Sequence, residues 1–228
     1  MSLPFKYKLD YIWKVVYIVL ITLVFYLIIS KWFRNILYEN LTVALVVLLN
    51  SIFVTIYFLD YKKIFAKLII ISFGLLLILQ VRTTNIRNTY SFTPSEIDMQ
   101  ITRMNYYPPR LAKIGYILEY KKEIKISERF IENFIEAVDF SEYFPDYFSF
   151  LSLPLFFGGL FWFIKISLMK DFKDKLKNVG KLLLLSVFAL SVFGNNGKYG
   201  PFLIFPYIYF FIFIGVSKLL KKDILYEK

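Results

Sequence analysis

The chain contains neither cysteine nor histidine. These absences exclude disulfide scaffolds, thiolate nucleophiles, zinc or iron–sulfur sites built from Cys and His, and proton relays that use histidine. Any acid–base or metal chemistry would have to use Asp, Glu, Lys or Tyr. We assign no catalytic, cofactor-binding or metal-binding residue from the sequence. Whether the protein is an enzyme stays open at this point, with a non-enzyme favoured.

Charged residues are scarce within several long stretches of the sequence. Hydrophobic residues make up 58% of the chain, whereas soluble domains are usually about 45–50% apolar. The excess lies in runs of about 18–22 residues, long enough to cross a hydrocarbon core of about 30 Å as a helix. This pattern predicts an all-α, polytopic membrane protein with about six transmembrane helices, at residues 11–30, 41–59, 64–81, 147–169, 178–194 and 201–220.

The first of these runs resembles a signal peptide in its position after Lys6 and Lys8. It is longer than the apolar region of a typical signal peptide, and no small-x-small cleavage site follows it. We therefore expect an uncleaved anchor. The predicted organisation is three spans in residues 1–81, a helical domain in residues 82–146, and three spans with a basic tail in residues 147–228.

The net charge of +11 is unevenly distributed. Residues 82–146 contain nine basic and ten acidic side chains, so this segment is close to neutral. The surplus of lysine lies in short loops beside the apolar runs, which is typical of the positive-inside rule and not of nucleic-acid binding. The lipid bilayer is therefore the expected partner, and nucleic acid is not.

The short loops also predict the orientation of the spans. With the N-terminus inside, the cytoplasmic ends contain 16 lysines, and the short external loops contain three basic residues: Lys31, Arg34 and Lys198. Cytoplasmic loops carry the excess of Lys and Arg. We therefore expect a multi-pass protein of the inner (plasma) membrane, with both termini cytoplasmic and residues 82–146 extracytoplasmic.

Helix signals recur through residues 82–146. Thr93-Pro94-Ser95-Glu96 has the pattern of a capping box with proline at the first helical position. The apolar residues that follow repeat at helical spacing, and Pro108-Pro109 separates two helices. The apolar faces of these helices are Ile97, Ile101 and Met104 in the first, and Leu111, Ile114 and Leu118 in the second.

A third helix, if the chain breaks at Ser127, would begin with Ser127 as its cap and Glu128 in its first turn. One continuous helix over residues 110–138 is the alternative. The end of this region is strongly amphipathic, with an apolar face of Phe130, Ile131, Phe134, Ile135 and Val138. Three short helices bury little core by themselves, so these faces need the membrane interface or the ends of the spans. Residues 143–150, YFPDYFSF, are expected to be an interfacial aromatic anchor.

Two sets of charged residues are candidates for chemistry. Asp139, Glu142 and Asp146 lie just before the fourth span, where an enzyme acting on lipid-linked sugars needs a carboxylate. The residues available to meet a lipid phosphate are Arg82, Arg87 and Lys198. Acids beside a helix end and arginines at the end of a span are also ordinary, and that interpretation is favoured.

Residues 121–136 carry a basic stripe and an acidic stripe, which offer a docking face or, as the favoured interpretation, a solvated helix side. The basic stripe is Lys121, Lys125 and Arg129, and the acidic stripe is Glu128, Glu132 and Glu136. Within the spans, no Asp, Glu or Arg is central, and Lys14, Lys67 and Lys165 lie near cytoplasmic ends. We expect Asn50, Thr55 and Gln80 to join helices, and Gly158-Gly159 to allow close packing.

One stretch resembles a loop of uncharacterised bacterial multi-pass membrane proteins that have a YPP turn, a Leu-Glu-x-x-Lys-Glu helix and a Phe-Glu…Asp…Tyr-Phe ending. The matching residues are Tyr107-Pro108-Pro109, Leu118-Glu119-Tyr120-Lys121-Lys122-Glu123 and Ile135-Glu136…Asp139…Tyr143-Phe144. The likeness covers about a fifth of the chain, which lacks the basic, acid-containing segment that often follows in that group. The resemblance implies a cell-envelope setting and no particular reaction.

Three functions remain as hypotheses. The first is an accessory or assembly subunit of cell-envelope machinery, which would bind a membrane-protein partner through the external helical domain. The alternative is a small membrane enzyme, or a fragment of one, acting on polyprenyl-phosphate sugars. Its weakness is the short first external loop, in which Glu39 is the carboxylate on offer. The third, a passive channel or small transporter, lacks polar residues that would line a pore.

Overall fold

The computed structural model describes residues 5–59, 63–86, 90–168, 173–195 and 197–219. Over these residues the predicted all-α fold is confirmed, and no strand is present. The described ranges contain eleven α-helices: α1 (Phe5–Ile29), α2 (Lys31–Glu39), α3 (Leu41–Leu59), α4 (Lys63–Thr83), α5 (Pro94–Tyr106), α6 (Ala112–Tyr120), α7 (Lys122–Val138), α8 (Tyr143–Asp146), α9 (Leu153–Ser167), α10 (Lys173–Phe193) and α11 (Phe205–Leu219).

Four helical segments are long and apolar enough to cross a membrane among the described residues. They are Leu41–Leu59, Ile64–Thr83, Phe150–Ser167 and Leu176–Phe193, which fits a membrane protein. The first predicted span lies almost entirely within α1, which runs from Phe5 to Ile29, and the last one is the shorter apolar helix Phe205–Leu219. The last helix begins four residues later than predicted, because residues 201–204 form buried turns. The count of six spans therefore stays a prediction.

Helix α11 is the centre of the bundle. Its residues from Phe205 to Ile212 are buried, and the helix packs chiefly against α9 and α3. A Cβ atom added at Gly159 of α9 would lie 1.8 Å from the carbonyl oxygen of Phe211. One added at Gly215 would lie 2.1 Å from the carbonyl oxygen of Leu155. The predicted close packing is therefore confirmed for Gly159 but wrong for Gly158, where a Cβ atom would meet nothing within 4 Å.

Polar side chains join the apolar helices at several buried positions. Asn50 on α3 donates to Ser72 Oγ on α4 at 2.8 Å, so its predicted role between helices is confirmed. For Thr55 the prediction is wrong, because its hydroxyl donates to the carbonyl of Ser51 within α3. This is the local bond that Ser and Thr commonly make inside helices. Tyr26 on α1 stacks on Tyr209 of α11, with ring centroids 5.1 Å apart.

The turn before α11 is fixed by side chains from two other helices. Gln80 on α4 donates to the carbonyl of Gly200 at 3.1 Å and accepts from the N–H of Leu203 at 3.3 Å. Trp32 on α2 donates from its indole Nε1 to the carbonyl of Tyr199 at 2.6 Å. Gly200 has φ +72°, a left-handed conformation that favours glycine. The predicted role of Gln80 between elements is therefore confirmed.

Most of the aromatic stretch at residues 143–150, which the sequence predicts to be an interfacial anchor, packs inside the bundle, whereas Phe150 is 63% exposed. Phe144 and Phe148 are buried, and their rings contact each other at a centroid distance of 5.7 Å. Phe148 also lies edge-on against Phe205 at the start of α11, at 5.3 Å. Aromatic residues at the end of an apolar helix can pack against other helices or anchor the chain in lipid. The sequence pattern is the same in both cases.

Candidate functional site

Helix α5 begins as the sequence predicts. The hydroxyl of Thr93 accepts from the backbone N–H of Glu96 at 3.3 Å, and the Glu96 carboxylate accepts from the N–H of Thr93 at 2.7 Å. The capping box is therefore confirmed. The Thr93 backbone hydrogen bond, with the Thr93 hydroxyl and Arg129 contributing further, holds the pKa of Glu96 below its ordinary value.

The predicted break at Ser127 is wrong, and so is the continuous alternative. Helix α6 ends at Tyr120, and Lys121 is extended, with φ −67° and ψ 124°. Helix α7 then runs unbroken through Ser127, whose hydroxyl donates to the carbonyl of Glu123 at 2.9 Å. The earlier break places Glu123 in the first turn of α7. An acid there satisfies the helix dipole as well as Glu128 would have done.

Helices α5 and α7 are joined by polar side chains. Gln100 is 5% exposed and Lys125 7% exposed, and the Lys125 ammonium donates to the Gln100 side-chain oxygen. The same ammonium lies over the ring of Phe92, 4.5 Å from its centroid. Arg129 then bridges Glu96 of α5 and Glu132 of α7. Charged and amide side chains therefore join these two helices.

Helix α7 is also fixed to α10 by amide groups. Asn133 is 7% exposed and donates to the carbonyl of Ser191 at 3.3 Å. Asn195, just beyond α10, donates to the carbonyl of Asn133 at 2.9 Å. An aromatic contact accompanies them, between the rings of Phe130 and Phe188 at 5.9 Å. Helix α7 therefore lies against the end of a candidate span.

The apolar faces predicted from the sequence point away from the rest of the chain. On α7, Ile131 is 55% exposed and Ile135 60% exposed. All but two of the predicted apolar positions are exposed: Ile97, Ile101, Leu111, Ile114, Leu118, Ile131, Phe134, Ile135 and Val138. The expectation that these faces need a surface outside the three helices agrees with this exposure. The structure does not bury them against the ends of the spans.

The two charged stripes of α7 have different surroundings. Lys125 and Arg129 of the basic stripe turn toward α5 and are engaged there, so this stripe is not a free docking face. Glu128 and Glu132 of the acidic stripe are exposed. Glu136 is exposed as well and accepts from Asn195 at 3.3 Å. The acidic stripe is therefore the charged surface that α7 presents.

The candidate carboxylates lie on the surface after α7. Asp139 is exposed and accepts from the N–H of Ser141 at 3.1 Å, which closes a local turn. Glu142 and Asp146 are also exposed. Burial, with smaller contributions from neighbouring charges, raises the pKa of Tyr143 beside them. No group of three or more acidic side chains within the described ranges is arranged to hold a metal ion.

The basic candidates lie at the same end of the bundle as those acids. The N–H of Lys198 donates to the carbonyl of Thr83 at 3.1 Å, which places it beside Arg82 in the backbone. Tyr147 packs against Gly200, two residues beyond Lys198. Arg87 lies outside the described residues. The backbone of Lys198 thus lies beside the end of α4, and the side chains of Arg82 and Lys198 are both exposed.

Sequence reasoning missed the amide groups that position α7. Gln100, Asn133 and Asn195 are buried, and none was a candidate. A signal was present in α7, because Lys125, Arg129, Asn133 and Ala137 recur every four residues and share one face.

Comparison with protein-family models, with curated proteins and with solved structures found no match for this chain. The fold and the surface described above therefore define its class, an all-helical protein with apolar helices that fit a membrane. Its function has to be argued from α5–α7 and their surroundings.

Proposed function

We propose that this protein is an accessory or assembly subunit of cell-envelope machinery, and that α5–α7 form its docking element. The observation that carries the proposal is the way in which α7 is fixed to its neighbours. Its inward face is fixed to α5 and α10 by Lys125, Arg129 and Asn133, while the acidic stripe Glu128, Glu132 and Glu136 stays exposed. A rigidly held, charged helix on the side of a membrane bundle is well suited to select a partner with a basic surface.

The membrane setting that we propose has six spans in an inner (plasma) membrane, with both termini in the cytoplasm. The 16 lysines at one set of helix ends, against three basic residues in the short loops of the other, support this orientation. It places α5–α7 on the extracytoplasmic side. The resemblance of residues 103–148 to a loop of bacterial multi-pass membrane proteins supports a bacterial envelope setting.

Function in the cell separates a docking subunit from an enzyme. The test replaces the chromosomal copy with Asp139→Asn, Glu142→Gln, Asp146→Asn or the triple charge reversal Glu128→Lys/Glu132→Lys/Glu136→Lys, and checks the abundance of each. A docking subunit tolerates the three single changes, because exposed substitutions usually cost within about 0.5 kcal/mol. The charge reversal should abolish function and co-purification of the partner.

A null phenotype from one of the three isosteric replacements, at normal abundance and with the partner still bound, would favour an enzyme instead. Loss of an essential general acid or base lowers a rate by about 10²–10⁴-fold while the fold survives. Tolerance of the charge reversal, in function and in co-purification, would remove the acidic stripe as the docking surface.

A further inference from the structure

Helices α5–α7 bury polar side chains and expose large apolar ones alongside charged ones, unlike a soluble domain with an apolar core. The side chains buried between them and α10 include Gln100, Lys125 and Asn133. The large apolar side chains on the same helices are 37–60% exposed at Ile97, Ile101, Leu111, Ile114, Ile117, Leu118, Ile126, Ile131, Phe134, Ile135 and Val138. Monomeric soluble proteins rarely expose a contiguous apolar patch larger than a few hundred Å².

The exposed part of α7 consists of two separate stripes, each with residues at helical spacing. Ile131, Phe134, Ile135 and Val138 form an apolar stripe, while Glu128, Glu132 and Glu136 form the acidic stripe. Arg129 reaches α5 beside the acidic stripe, and it bridges Glu96 and Glu132. Phe130 reaches α10 beside the apolar stripe, through its contact with Phe188. The apolar stripe is therefore on the α10 side of the helix.

The surface of α10 next to this contact is itself apolar and open. Leu184 is 70% exposed, Leu185 47% and Phe188 57%, and all three belong to the candidate span Leu176–Phe193. In a span, such exposed residues contact acyl chains. The apolar stripe of α7 continues this surface across the direct contact between the rings of Phe130 and Phe188.

We infer that α7 is an interfacial membrane helix whose apolar stripe contacts the acyl chains of the leaflet that surrounds the end of α10. Its acidic stripe then faces water, and its third face is bound to α5 and α10. An interfacial helix of this kind has a strongly polar side opposite the lipid and lies near the boundary between headgroups and acyl chains. This inference rests on the membrane setting of the proposed function, but it does not depend on a partner.

The absence of cysteine makes site-directed spin labelling a direct test, because a single introduced cysteine is the sole attachment point. The purified full chain is reconstituted in nanodiscs of phosphatidylethanolamine and phosphatidylglycerol, with a label at Ile135→Cys or Ile131→Cys on the apolar stripe. Glu128→Cys on the acidic stripe is the matched control, and Leu184→Cys on α10 is the lipid reference. Collision with oxygen, which concentrates in lipid, is compared with collision with a water-soluble nickel chelate.

Labels at positions 131 and 135 should favour oxygen over the nickel chelate, as the label at 184 does, and the label at 128 should show the reverse preference. Using two positions on the apolar stripe guards against a local disturbance at either one. An aqueous pattern at both 131 and 135 would overturn the inference. So would protection from both reagents, which would mean that a second copy of the chain covers the stripe. An aqueous pattern at 184 would overturn it as well, because α10 would then not be a span.

Discussion

Gly159 on α9 meets the backbone of α11 so closely that a Cβ atom added there would stand 1.8 Å from the carbonyl oxygen of Phe211. No side chain fits into this contact unless the helices separate. Gly158, one residue earlier in the same helix, has nothing within 4 Å of an added Cβ atom. Two neighbouring glycines therefore differ sharply in what they allow, and the pair is a natural matched comparison.

We expect Gly159→Ala to destabilise the protein by about 1–3 kcal/mol, the usual cost of overpacking a filled interior. Gly158→Ala should be neutral or slightly stabilising, because alanine is the better helix former by about 1 kcal/mol. The apparent melting temperature of the purified protein in detergent measures both. Equal melting temperatures for the two variants would show that α9 and α11 are not in backbone contact.

The turn before α11 depends on the side chain of Gln80. Gln80→Leu keeps the approximate volume but leaves the carbonyl of Gly200 and the N–H of Leu203 without this partner. Leaving a buried polar group unpaired costs about 1–3 kcal/mol. We expect a lower melting temperature and faster labelling of a cysteine introduced at Lys198, which lies in the same turn.

Thr83→Val is the control for that change. The hydroxyl of Thr83 donates to the carbonyls of Leu79 and Gln80 within α4, so its removal leaves the ties between α4 and the turn intact. The labelling rate at position 198 should then match that of the unaltered background. An equal increase in both variants would mean that α4 as a whole, and not the Gln80 amide, holds the turn.

Parts of this fold follow from local sequence signals. The apolar run at residues 41–59 has the same bounds as α3. Its length and its lack of charge are sufficient to predict such a helix. The start of α5 follows from Thr93 and Glu96, whose hydrogen bonds close within four residues of chain. Both are short-range, so a pattern in the sequence is enough to place them.

The structure of α6 and α7 could be predicted less well from the sequence, for two physical reasons. The break at Lys121 involves neither glycine nor proline, so no conformational preference marks it. The buried side of α7 depends on what surrounds the helix. In water the Phe134 side would turn inward, whereas beside α10 it is the Lys125 and Asn133 side that is buried. The hydrophobic pattern gives the period of a helix but not the solvent that each face meets.

The N-terminal cap of α5, and with it the link from Glu96 to Arg129 of α7, should weaken in acid. The pKa of Glu96 is below its ordinary value of 4.5 in the folded protein. The ionised carboxylate therefore stabilises the folded state above pH 4.5, and that contribution is lost as the pH falls through the lowered pKa. The melting temperature of the unaltered protein should exceed that of Glu96→Gln near neutral pH, and the difference should shrink below pH 4.5.

Glu128→Gln is the control for these measurements at different pH values, since Glu128 is an exposed carboxylate on α7. Its difference from the unaltered protein should be small at neutral pH, as is usual for exposed charges. A Glu96→Gln difference that persists unchanged down to pH 3 would show that the carboxylate charge does not contribute to this contact.

The segment of residues 88–142, which contains α5–α7, should not fold by itself in water. Its inward groups find partners on α10, as Asn133 does at the carbonyl of Ser191 and Tyr90 does at the carbonyl of Val192. Its apolar faces, with Ile131 and Ile135 among them, remain exposed even in the whole chain. A peptide of residues 88–142 lacks the hydrogen-bond partners on α10. Its apolar faces also remain exposed to water. Isolated helices shorter than about 12–15 residues are marginal in water, and α5 and α6, with 13 and 9 residues, are of this kind.

Circular dichroism of that peptide measures the expectation directly. In plain buffer it should be only partly helical and should lose its signal gradually on heating. Added phospholipid vesicles should raise the helix content, because the apolar stripe then has a surface to cover it. Phe134→Asp in the same peptide should reduce the gain, since it places a charge on the side that enters the lipid, whereas Glu128→Gln should preserve it. A cooperative unfolding transition in buffer alone would show instead that α5–α7 form a domain with a core of their own.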